Sequence, residues 1–387
     1  MGDAVIVEAV RTPIGKGKPG GGLHEEHPVD LLARTLKSLV ERAGIDPALV
    51  DDVVGGVVTQ VGEQAVNLTR SAVLAAGFPE TVPATTVDRQ CGSSQQAIHF
   101  AAQGVISGAY DVAIACGVES MSRVPMGSSV LPGSNPYGPS VSARYPDGLV
   151  GQGISAELIA TRWKLDREQL DAFAYESHRR AAKAWEGGEF DREVAWTGQR
   201  DETVRPNTTP EVLAGLKPAY YTPAYEERFP DIGWRITAGN ASPINDGAAA
   251  VLIMSAEAAA RLGLRPRARF HSFALAGDDP LLMLTAVIPA TEKVLGRAGL
   301  SISDIDLFEV NEAFAPVVLS WAHDTGADLE KVNVRGGAIA IGHPLGASGA
   351  RLMTTLLHAL EDRDARFGLQ TMCEAGGLAN ATIIERV

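Results

Sequence analysis

A single spacing of 255 residues recurs along the chain and constrains its fold more than any other feature. Three segments repeat at this distance (297 − 42 = 255): 42–54 with 297–309, 91–105 with 346–360, and 111–119 with 366–374. Few identities survive within each pair, but the register is the same in all three. A constant register across separated segments predicts two halves built on one plan.

Each half is predicted to alternate strands with amphipathic helices. AVIVEAV, DVAIACG, ARFHSFALA and GLQTMC have the apolar character of buried strands, whereas LLARTLKSLVERAG and ARLMTTLLHALED repeat apolar residues at helical spacing. This alternation predicts an α/β fold with mostly parallel sheets covered by helices. The chain has 387 residues, of which 45% are hydrophobic and 41 are glycine, enough for a large, tightly packed core.

A region of different composition separates the two halves. PMGSSVLPGSNPYGPS is rich in Pro, Gly and Ser, a charged helical stretch follows, and apolar strand character resumes at 248–255. We expect residues 1–119 with 246–265 to form the first half, residues 120–245 to form an inserted loop domain, and residues 266–387 to form the second half. Long loops on rigid scaffolds tend to carry binding surfaces.

Charge and cysteine content exclude several classes of protein. The formal net charge is −13, from 34 basic and 47 acidic residues without a long basic cluster, so no nucleic-acid partner is expected. MGDAVIVEAVRTP contains neither a secretory signal nor a spanning segment, so no membrane association is expected. The three cysteines lack the spacing of a metal site, which is typical of free thiols in a cytoplasmic protein.

Two short motifs carry little weight. GKGKPG at 15–20 formally matches a dinucleotide fingerprint, but the glycines do not open a helix and no acidic residue ends a second strand about twenty positions later. His24 and His27 lack the i, i+4 spacing of a zinc-binding helix. The sequence therefore predicts no metal site.

Four residues stand where α/β folds often place chemistry. Cys91 precedes a helical run, where the helix dipole lowers the pKa of a thiol, although a buried structural cysteine has the same local pattern. Cys373 ends an apolar strand and is open to both interpretations. His343 lies in a glycine-rich loop stiffened by Pro344, and Asn311 follows an apolar strand as either a turn former or a hydrogen-bond donor.

Together these residues belong to a pattern that resembles the thiolases. QCGSS, NEAFA, GHP and C-x-x-GG occur in this order over nearly the whole chain, and GNASPINDGAAAVL at 239–252 and IPA at 288–290 add to the match. The resemblance implies a thiolase fold of duplicated, layered αβαβα halves with an inserted loop domain. It also implies no permanently bound cofactor, coenzyme A (CoA) as co-substrate with acyl-CoA, and a homodimer or homotetramer.

The resemblance assigns catalytic roles to individual residues. Cys91 would be the acylated nucleophile, His343 the base that activates it, and Cys373 the second acid/base. Asn311 would hold a water that stabilises the enolate oxygen together with His343. The backbone N–H groups of Cys91 and Ala375 would form a second oxyanion hole.

The resemblance also implies a set of CoA-binding residues and two departures from the family pattern. The set comprises Arg205 at the nucleotide end, Leu216, Ala238, Ser242 and Met283 along the channel, and Phe314 near the reactive end. At position 375 the family more commonly has glycine. The alanine found here requires a negative φ at this position. Gly151 and Gln152 replace the His-Met pair typical of acetoacetyl-CoA-making thiolases, which favours a roomier acyl site.

These features predict a degradative 3-ketoacyl-CoA thiolase that releases acetyl-CoA or propionyl-CoA in fatty-acid or steroid catabolism. VDRQCGSSQQAI and GLQTMCE are similar to actinobacterial thiolases of steroid catabolism, which suggests a branched or cyclic acyl group. The alternatives are an acetoacetyl-CoA-forming acetyl-CoA acetyltransferase, a carrier-protein condensing enzyme and a CoA-binding protein without activity. A condensing enzyme would lack the second reactive cysteine.

Overall fold

The computed structural model describes residues 3–387, whose strands form one ten-stranded sheet. Met1 and Gly2, predicted to belong to the first half, lie outside the described residues. The strands are β1 (Ala4–Arg11), β2 (Gly15–Lys16), β3 (Asp52–Gly56), β4 (Ala84–Val87), β5 (Val112–Ser120), β6 (Asn245–Ser255), β7 (Ala268–Gly277), β8 (Leu307–Val310), β9 (Phe367–Glu374) and β10 (Leu378–Arg386).

Thirteen α-helices in the described part of the chain connect and cover these strands. They are α1 (Pro28–Ala43), α2 (Leu68–Ala75), α3 (Ser93–Ser107), α4 (Gly138–Arg144), α5 (Gln152–Arg162), α6 (Arg167–Glu186), α7 (Pro210–Ala214), α8 (Pro223–Arg228), α9 (Ala256–Arg261), α10 (Val287–Ala298), α11 (Ala315–Thr325), α12 (Ala338–Ile341) and α13 (Ser348–Asp362).

The sheet is mixed, so the prediction of mostly parallel strands is wrong. Its order is β4-β3-β5-β6-β1-β7-β10-β9-β8, with β2 paired to β6. In the first half, β3 runs parallel to β4 and β5, whereas β6 is antiparallel to both β5 and β1. The second half repeats this arrangement, because β8 is parallel to β9 and β10 is antiparallel to both β9 and β7.

The repeat found in the sequence is confirmed as a structural duplication. The helices that begin at Ser93 and Ser348, and the strands that begin at Val112 and Phe367, are separated by the same 255 positions (348 − 93 and 367 − 112). The turns repeat as well: α1 and α10 both end on a left-handed glycine, Gly44 and Gly299, each with φ 67°. Glycine adopts this conformation without steric cost, so the chain leaves both helices in the same way.

Three helical layers enclose the sheet of the two halves. One apolar cluster contains α1, α2 and the outer face of the first-half strands, and another contains α10, α11 and the outer face of the second-half strands. Between them, α3 and α13 pack together and bury residues from strands of both halves. This is the predicted αβαβα layering, with two central helices that begin near each other.

The region between β5 and β6 holds α4 to α8 and packs on the other half of the molecule. Ile159 of α5 and Leu170 of α6 lie in the same apolar cluster as Val317 and Trp321 of α11. The segment 126–137 is exposed. The region that interrupts the first half therefore covers the second.

Two absences hold for residues 3–387. Within this range, no helix has the length and apolar character that crossing a membrane requires. The same residues contain no group of three or more His, Cys, Asp or Glu side chains arranged to hold a metal ion.

The contact between α3 and α13 predicts how a methyl group will be tolerated at two helical glycines. A Cβ built on Gly349 of α13 would lie 2.2 Å from Gln95 N of α3, whereas one on Gly296 of α10 would meet no atom within 4 Å. We expect Gly349→Ala to destabilise the protein by about 1–3 kcal/mol through overpacking. The matched control Gly296→Ala should stabilise it by about 0.5–1 kcal/mol. Urea denaturation midpoints will measure both, and equal effects would contradict the close packing.

Candidate active site

Cys91 lies in a bend between β4 and α3. Gln90 has a φ of 48°, in the left-handed region that is unusual for a residue with a side chain. The bend is closed by Gly92 N–H donating to Arg89 O and Ser93 N–H donating to Gln90 O, both at 3.0 Å. Cys91 is 4% exposed and shares an apolar cluster with Met372 of the second half. The bend thus directs a first-half cysteine towards the other half.

Burial raises the pKa of the Cys91 thiol to about 12, with smaller contributions in the same direction from Glu374 and Glu119. The expectation of a lowered pKa is therefore wrong, because burial outweighs the effect of the helix dipole on the Cys91 thiol. The free-energy cost of removing a thiolate from water is larger than the stabilisation that the start of one helix provides. Cys91 rests as a thiol, and a base must take its proton before the sulfur can attack.

His343 is held as a neutral imidazole with a defined tautomer. The Ser348 hydroxyl donates its only proton to Pro344 O at 2.8 Å, so at 2.6 Å it must accept a hydrogen bond from His343 Nδ1–H. His343 Nε2 is therefore the unprotonated nitrogen. Burial, with a smaller effect from Arg351, lowers the pKa of His343 to about 3. A buried neutral imidazole with an unprotonated Nε2 can accept a proton.

Asn311 joins His343 to the strand that carries Cys373. Its Nδ2 lies 3.4 Å from His343 Nε2, and its backbone N–H donates to Thr371 O of β9 at 3.1 Å. Asn311 Oδ1 is buried and has no hydrogen-bond partner among the described residues. The amide therefore has a free acceptor beside the imidazole.

Cys373 is fully buried on β9, close to the bend that carries Cys91. A Cβ built on Gly92 would lie 1.9 Å from Oε1 of Glu374, so the two segments are in direct contact. Burial raises the pKa of Cys373 well above its usual value, and Cys91 and Glu374 add to the shift. The two thiols are thus neighbours, and both rest protonated.

The backbone at Ala375 has the conformation that an alanine accepts. Positive φ values in this turn occur at Gly376 (88°) and Gly377 (79°), and Ala375 is not among the residues with positive φ. The C-x-x-GG turn therefore keeps its two glycines where left-handed backbone requires them. The replacement of glycine by Ala375 causes no backbone strain.

Most of the predicted CoA-binding residues lie around one seam between the 236–245 segment and the start of α11. Ser242 N–H donates to Ala313 O at 2.9 Å, and Phe314 and Met283 belong to the apolar cluster that lines this seam. Leu216 packs beneath the segment, because a Cβ built on Gly239 would lie 2.5 Å from Leu216 Cδ1. Ala238 is exposed.

Arg205 occupies a different place, at the mouth of a cavity of about 210 Å³ beside α6. Arg179, Lys183 and Thr208 also line this cavity. The Arg205 backbone N–H donates to His178 Nδ1 at 3.2 Å. The cavity therefore presents three cationic side chains and one carboxylate, Glu186, a net positive lining that suits an anionic ligand.

Several residues near the site were missed by the sequence analysis. Ser348 orients His343, and Gln152, treated there only as a determinant of pocket size, lies 3.9 Å from Cys91 Sγ through its Nε2. Ser348 follows His343 by five positions in a glycine-rich loop, and no local pattern shows that its hydroxyl turns back to the ring. Both contacts depend on how the loops fold.

Two buried glutamates were also missed, although the repeat relates them (374 − 119 = 255). Glu119 accepts hydrogen bonds from the backbone N–H groups of Val58, Thr59 and Gly346 and from the Gln64 amide. Glu374 occupies the equivalent place under the start of α3, but neither of its oxygens has a hydrogen-bond partner among the described residues. Burial raises the pKa of Glu374 well above its usual value, and the charge of Arg89 opposes this shift.

Two family descriptions match the chain. "Thiolase, N-terminal domain" matches residues 4–257, and "Thiolase, C-terminal domain" matches residues 264–386. Among curated proteins, the chain is 48% identical to the steroid 3-ketoacyl-CoA thiolase FadA6 of Mycobacterium tuberculosis, with 100% of this chain and 95% of the relative covered. It is 45% identical to a 3-ketoacyl-CoA thiolase of Pectobacterium carotovorum, with 100% of both chains covered.

Among solved structures, the chain is similar to the acetyl-CoA acetyltransferase of Bacillus anthracis. The TM-score is 0.88 at 37% sequence identity, and the match covers 100% of this chain and 99% of the other. These similarities confirm the predicted fold class and the resemblance stated from the sequence motifs.

The His343 geometry predicts a histidine that does not titrate near neutrality. In ¹⁵N-labelled protein, we expect the His343 imidazole to remain neutral and protonated at Nδ1 between pH 5 and 8, because burial lowers its pKa to about 3. Long-range ¹H–¹⁵N spectra will show this, and a His343→Asn variant assigns the signal. Titration of that signal near pH 6.5 would contradict the assignment.

Proposed function

The chain belongs to the thiolase family and is an acyltransferase, and from that premise we propose that it is a degradative 3-ketoacyl-CoA thiolase. It cleaves a 3-oxoacyl-CoA with CoA to acetyl-CoA or propionyl-CoA and a shortened acyl-CoA. The observation that carries the proposal is a neutral His343 whose Nε2 is unprotonated. It lies in a buried site that also contains two neighbouring thiols, Cys91 and Cys373. CoA enters as a co-substrate, and the reaction needs no permanently bound cofactor.

The first half-reaction breaks a carbon–carbon bond. Cys91 passes its proton to His343 Nε2, and its sulfur attacks the C3 ketone of the substrate. The C2–C3 bond then breaks, leaving the acyl group on Cys91 and the electron pair on the departing acetyl-CoA as an enolate. Cys373 gives its proton to C2 and becomes a thiolate. Two separate proton-transfer groups are needed because the protons move at different atoms.

The second half-reaction restores the enzyme. The Cys373 thiolate takes the proton of an incoming CoA thiol, and the CoA sulfur attacks the acyl thioester on Cys91. The Cys91 sulfur leaves and recovers its proton from His343. All three groups return to their starting protonation states, so the scheme is ping-pong and uses no other acid or base.

Hydrogen-bond donors stabilise the two oxyanions. Once protonated, His343 Nε2 can donate to the enolate oxygen, together with a water held by the free Oδ1 of Asn311. The backbone N–H groups of Cys91 and Ala375 serve the oxygen on the acyl carbon. Because both sites are buried, each donor has a larger effect than in water.

The inserted loop domain, residues 120–245, supplies most of the CoA site in this proposal. Arg205 and its cationic neighbours beside α6 receive the negatively charged nucleotide end. The channel then follows Leu216, Ala238, Ser242 and Met283 and reaches Phe314 near the reactive end. All three cysteines are free and buried, which suits work in a reducing compartment.

The acyl group is proposed to be branched or cyclic. Gly151 precedes the residue that contacts Cys91, and a Cβ built on it would meet no atom within 4 Å. A side chain of the size found in acetoacetyl-CoA-making thiolases would occupy this space. The similarity to a protein named as a steroid 3-ketoacyl-CoA thiolase points the same way.

Acyl transfer to Cys91 can be tested directly by intact mass. We expect a panel of linear, branched and ring-bearing 3-oxoacyl-CoAs, added without free CoA, to leave an acyl adduct on the wild-type protein and none on Cys91→Ser. Cys116→Ser is the matched control, because that thiol is buried in β5 outside the site. The absence of any adduct on the wild-type protein would count against the function.

The same panel separates the two thiolase classes. Thiolytic rates should be highest for the branched or ring-bearing substrates. A strong preference for acetoacetyl-CoA would instead favour the alternative, an acetoacetyl-CoA-forming acetyl-CoA acetyltransferase.

We also propose a homo-oligomer whose first contact is the free edge of β4. The opposite edge strand, β8, is covered by the bridge between Phe308 and Val332, whereas β4 pairs only with β3. Exposed apolar side chains flank the β4 edge, including Val66 at 92% exposure, Leu74 and Phe100. An open strand edge beside apolar surface suits pairing with a second copy.

Light scattering tests this contact. The wild-type protein should have the mass of a dimer or tetramer, and Val66→Asp with Phe100→Asp should shift it towards the monomer mass of 40.7 kDa. The control Val212→Asp changes an exposed valine on α7, far along the chain from this edge. A monomeric wild-type protein would refute the proposal.

A further inference from the structure

We propose that Gln152 is a further catalytic residue, whose side-chain amide donates a hydrogen bond to the Cys91 sulfur and stabilises the thiolate that attacks the substrate. The inference rests on the proposed function, in which Cys91 is the nucleophile. It assigns a chemical role to a position that otherwise only defines the size of the acyl pocket.

The contact joins the inserted loop domain to the nucleophile. Gln152 is the first residue of α5, and its Nε2 lies 3.9 Å from Cys91 Sγ. Within residues 3–387, the Gln152 side chain makes no other hydrogen bond, and Cys91 Sγ receives none from another side chain. A distance of 3.9 Å is long for a neutral thiol, and we expect it to shorten when the sulfur becomes charged.

The surroundings of Cys91 otherwise oppose a negative charge. The sulfur is buried, and the nearby carboxyls of Glu374 and Glu119 disfavour the thiolate further when ionised. Glu119 is engaged by four donors, and Arg89 is the cationic group that acts on Glu374. Against these effects, the Gln152 amide is the side chain that favours the charged sulfur.

The local backbone supports a directed role for this amide. Gly151, the residue before α5, is extended (φ −74°, ψ 160°) and has no side chain that could accept a hydrogen bond from the Gln152 amide. Ser155, one turn later, binds Leu281 O at 2.7 Å and fixes this end of α5 to the loop that carries Met283. The helix start is therefore anchored while its first side chain points at the sulfur.

The pH dependence of Cys91 alkylation tests the inference without a substrate. The rate of iodoacetamide modification of the Cys91 peptide is measured by mass spectrometry in the wild type, Gln152→Met and Gln152→Glu. Gln152→Met keeps the length of the side chain and removes the donor, so the rising limb of the pH–rate profile should shift by about one pH unit to higher pH and the neutral-pH rate should fall about tenfold. Gln152→Glu should react more slowly still, because an added carboxylate repels the thiolate.

Matched controls separate this role from packing. Gln199→Met changes an exposed glutamine of the same inserted region and should leave the alkylation profile unchanged. In steady-state assays, Gln152→Met should lower kcat with little change in the KM for CoA, and its melting temperature should match the wild type. A purely structural role would change the melting temperature and leave the pH–rate profile of alkylation in place.

The outcomes also separate this inference from the proposed function. An unchanged pH–rate profile of alkylation in Gln152→Met, with acyl adducts still formed on wild-type Cys91, would overturn the role of Gln152 alone. The absence of adducts on the wild type would overturn the function, whatever the alkylation profile shows.

Discussion

The close approach of α3 and α13 is the constraint on which the rest of the structure depends. A Cβ built on Gly349 of α13 would lie 2.2 Å from Gln95 N of α3, and one on Gly117 of β5 would lie 2.2 Å from Gly346 O in the turn that precedes α13. Ala350 N–H donates to Ser94 Oγ across the same contact at 2.9 Å. Side chains cannot fit between these backbones, so the helix starts of the two halves meet directly. The bend of Cys91 and the loop of His343 precede these two starts, which is why residues 252 positions apart (343 − 91) can share one site.

The duplication gives both halves the same framework, and the proposed reactive residues lie at positions where the two halves carry different residues. Cys91 corresponds to Gly346, His343 to Asp88, and Cys373 to Val118, each pair separated by 255 positions (346 − 91, 343 − 88, 373 − 118). Each reactive side chain therefore occurs in only one half. The buried glutamates diverge similarly, because Glu119 is fully hydrogen-bonded beneath α13 whereas Glu374 is unpartnered beneath α3. The Glu119 carboxyl hydrogen-bonds across the two halves, whereas the Glu374 carboxyl, whose pKa burial raises, lies close to both thiols.

Burial shifts the pKa values of the thiols and of the imidazole in opposite directions, and both shifts favour the uncharged forms. It raises the pKa of both thiols and lowers that of His343, so the resting site carries no charge on these three groups. In the proposed mechanism, a proton transfer from Cys91 to His343 creates two opposite charges in a buried site, where a low dielectric strengthens their attraction. The region between β5 and β6 places the Gln152 amide 3.9 Å from the Cys91 sulfur, so in the proposed mechanism a segment that interrupts one half contributes to chemistry between both.

The sequence by itself determined the duplication, the positions of β1, β5, β6, β7 and β9 and of the central helices, and the residue types of the proposed site. It also determined that Ala375 needs a negative φ, a condition that the turn meets because its left-handed positions fall on Gly376 and Gly377. Strand direction was not available, because apolar character does not distinguish the antiparallel β6 and β10 from their parallel neighbours. The protonation state of Cys91, the tautomer of His343 and the contact of Gln152 were decided only by the tertiary structure. Desolvation and hydrogen-bond partners come from residues distant in the chain, and local sequence carries no record of them.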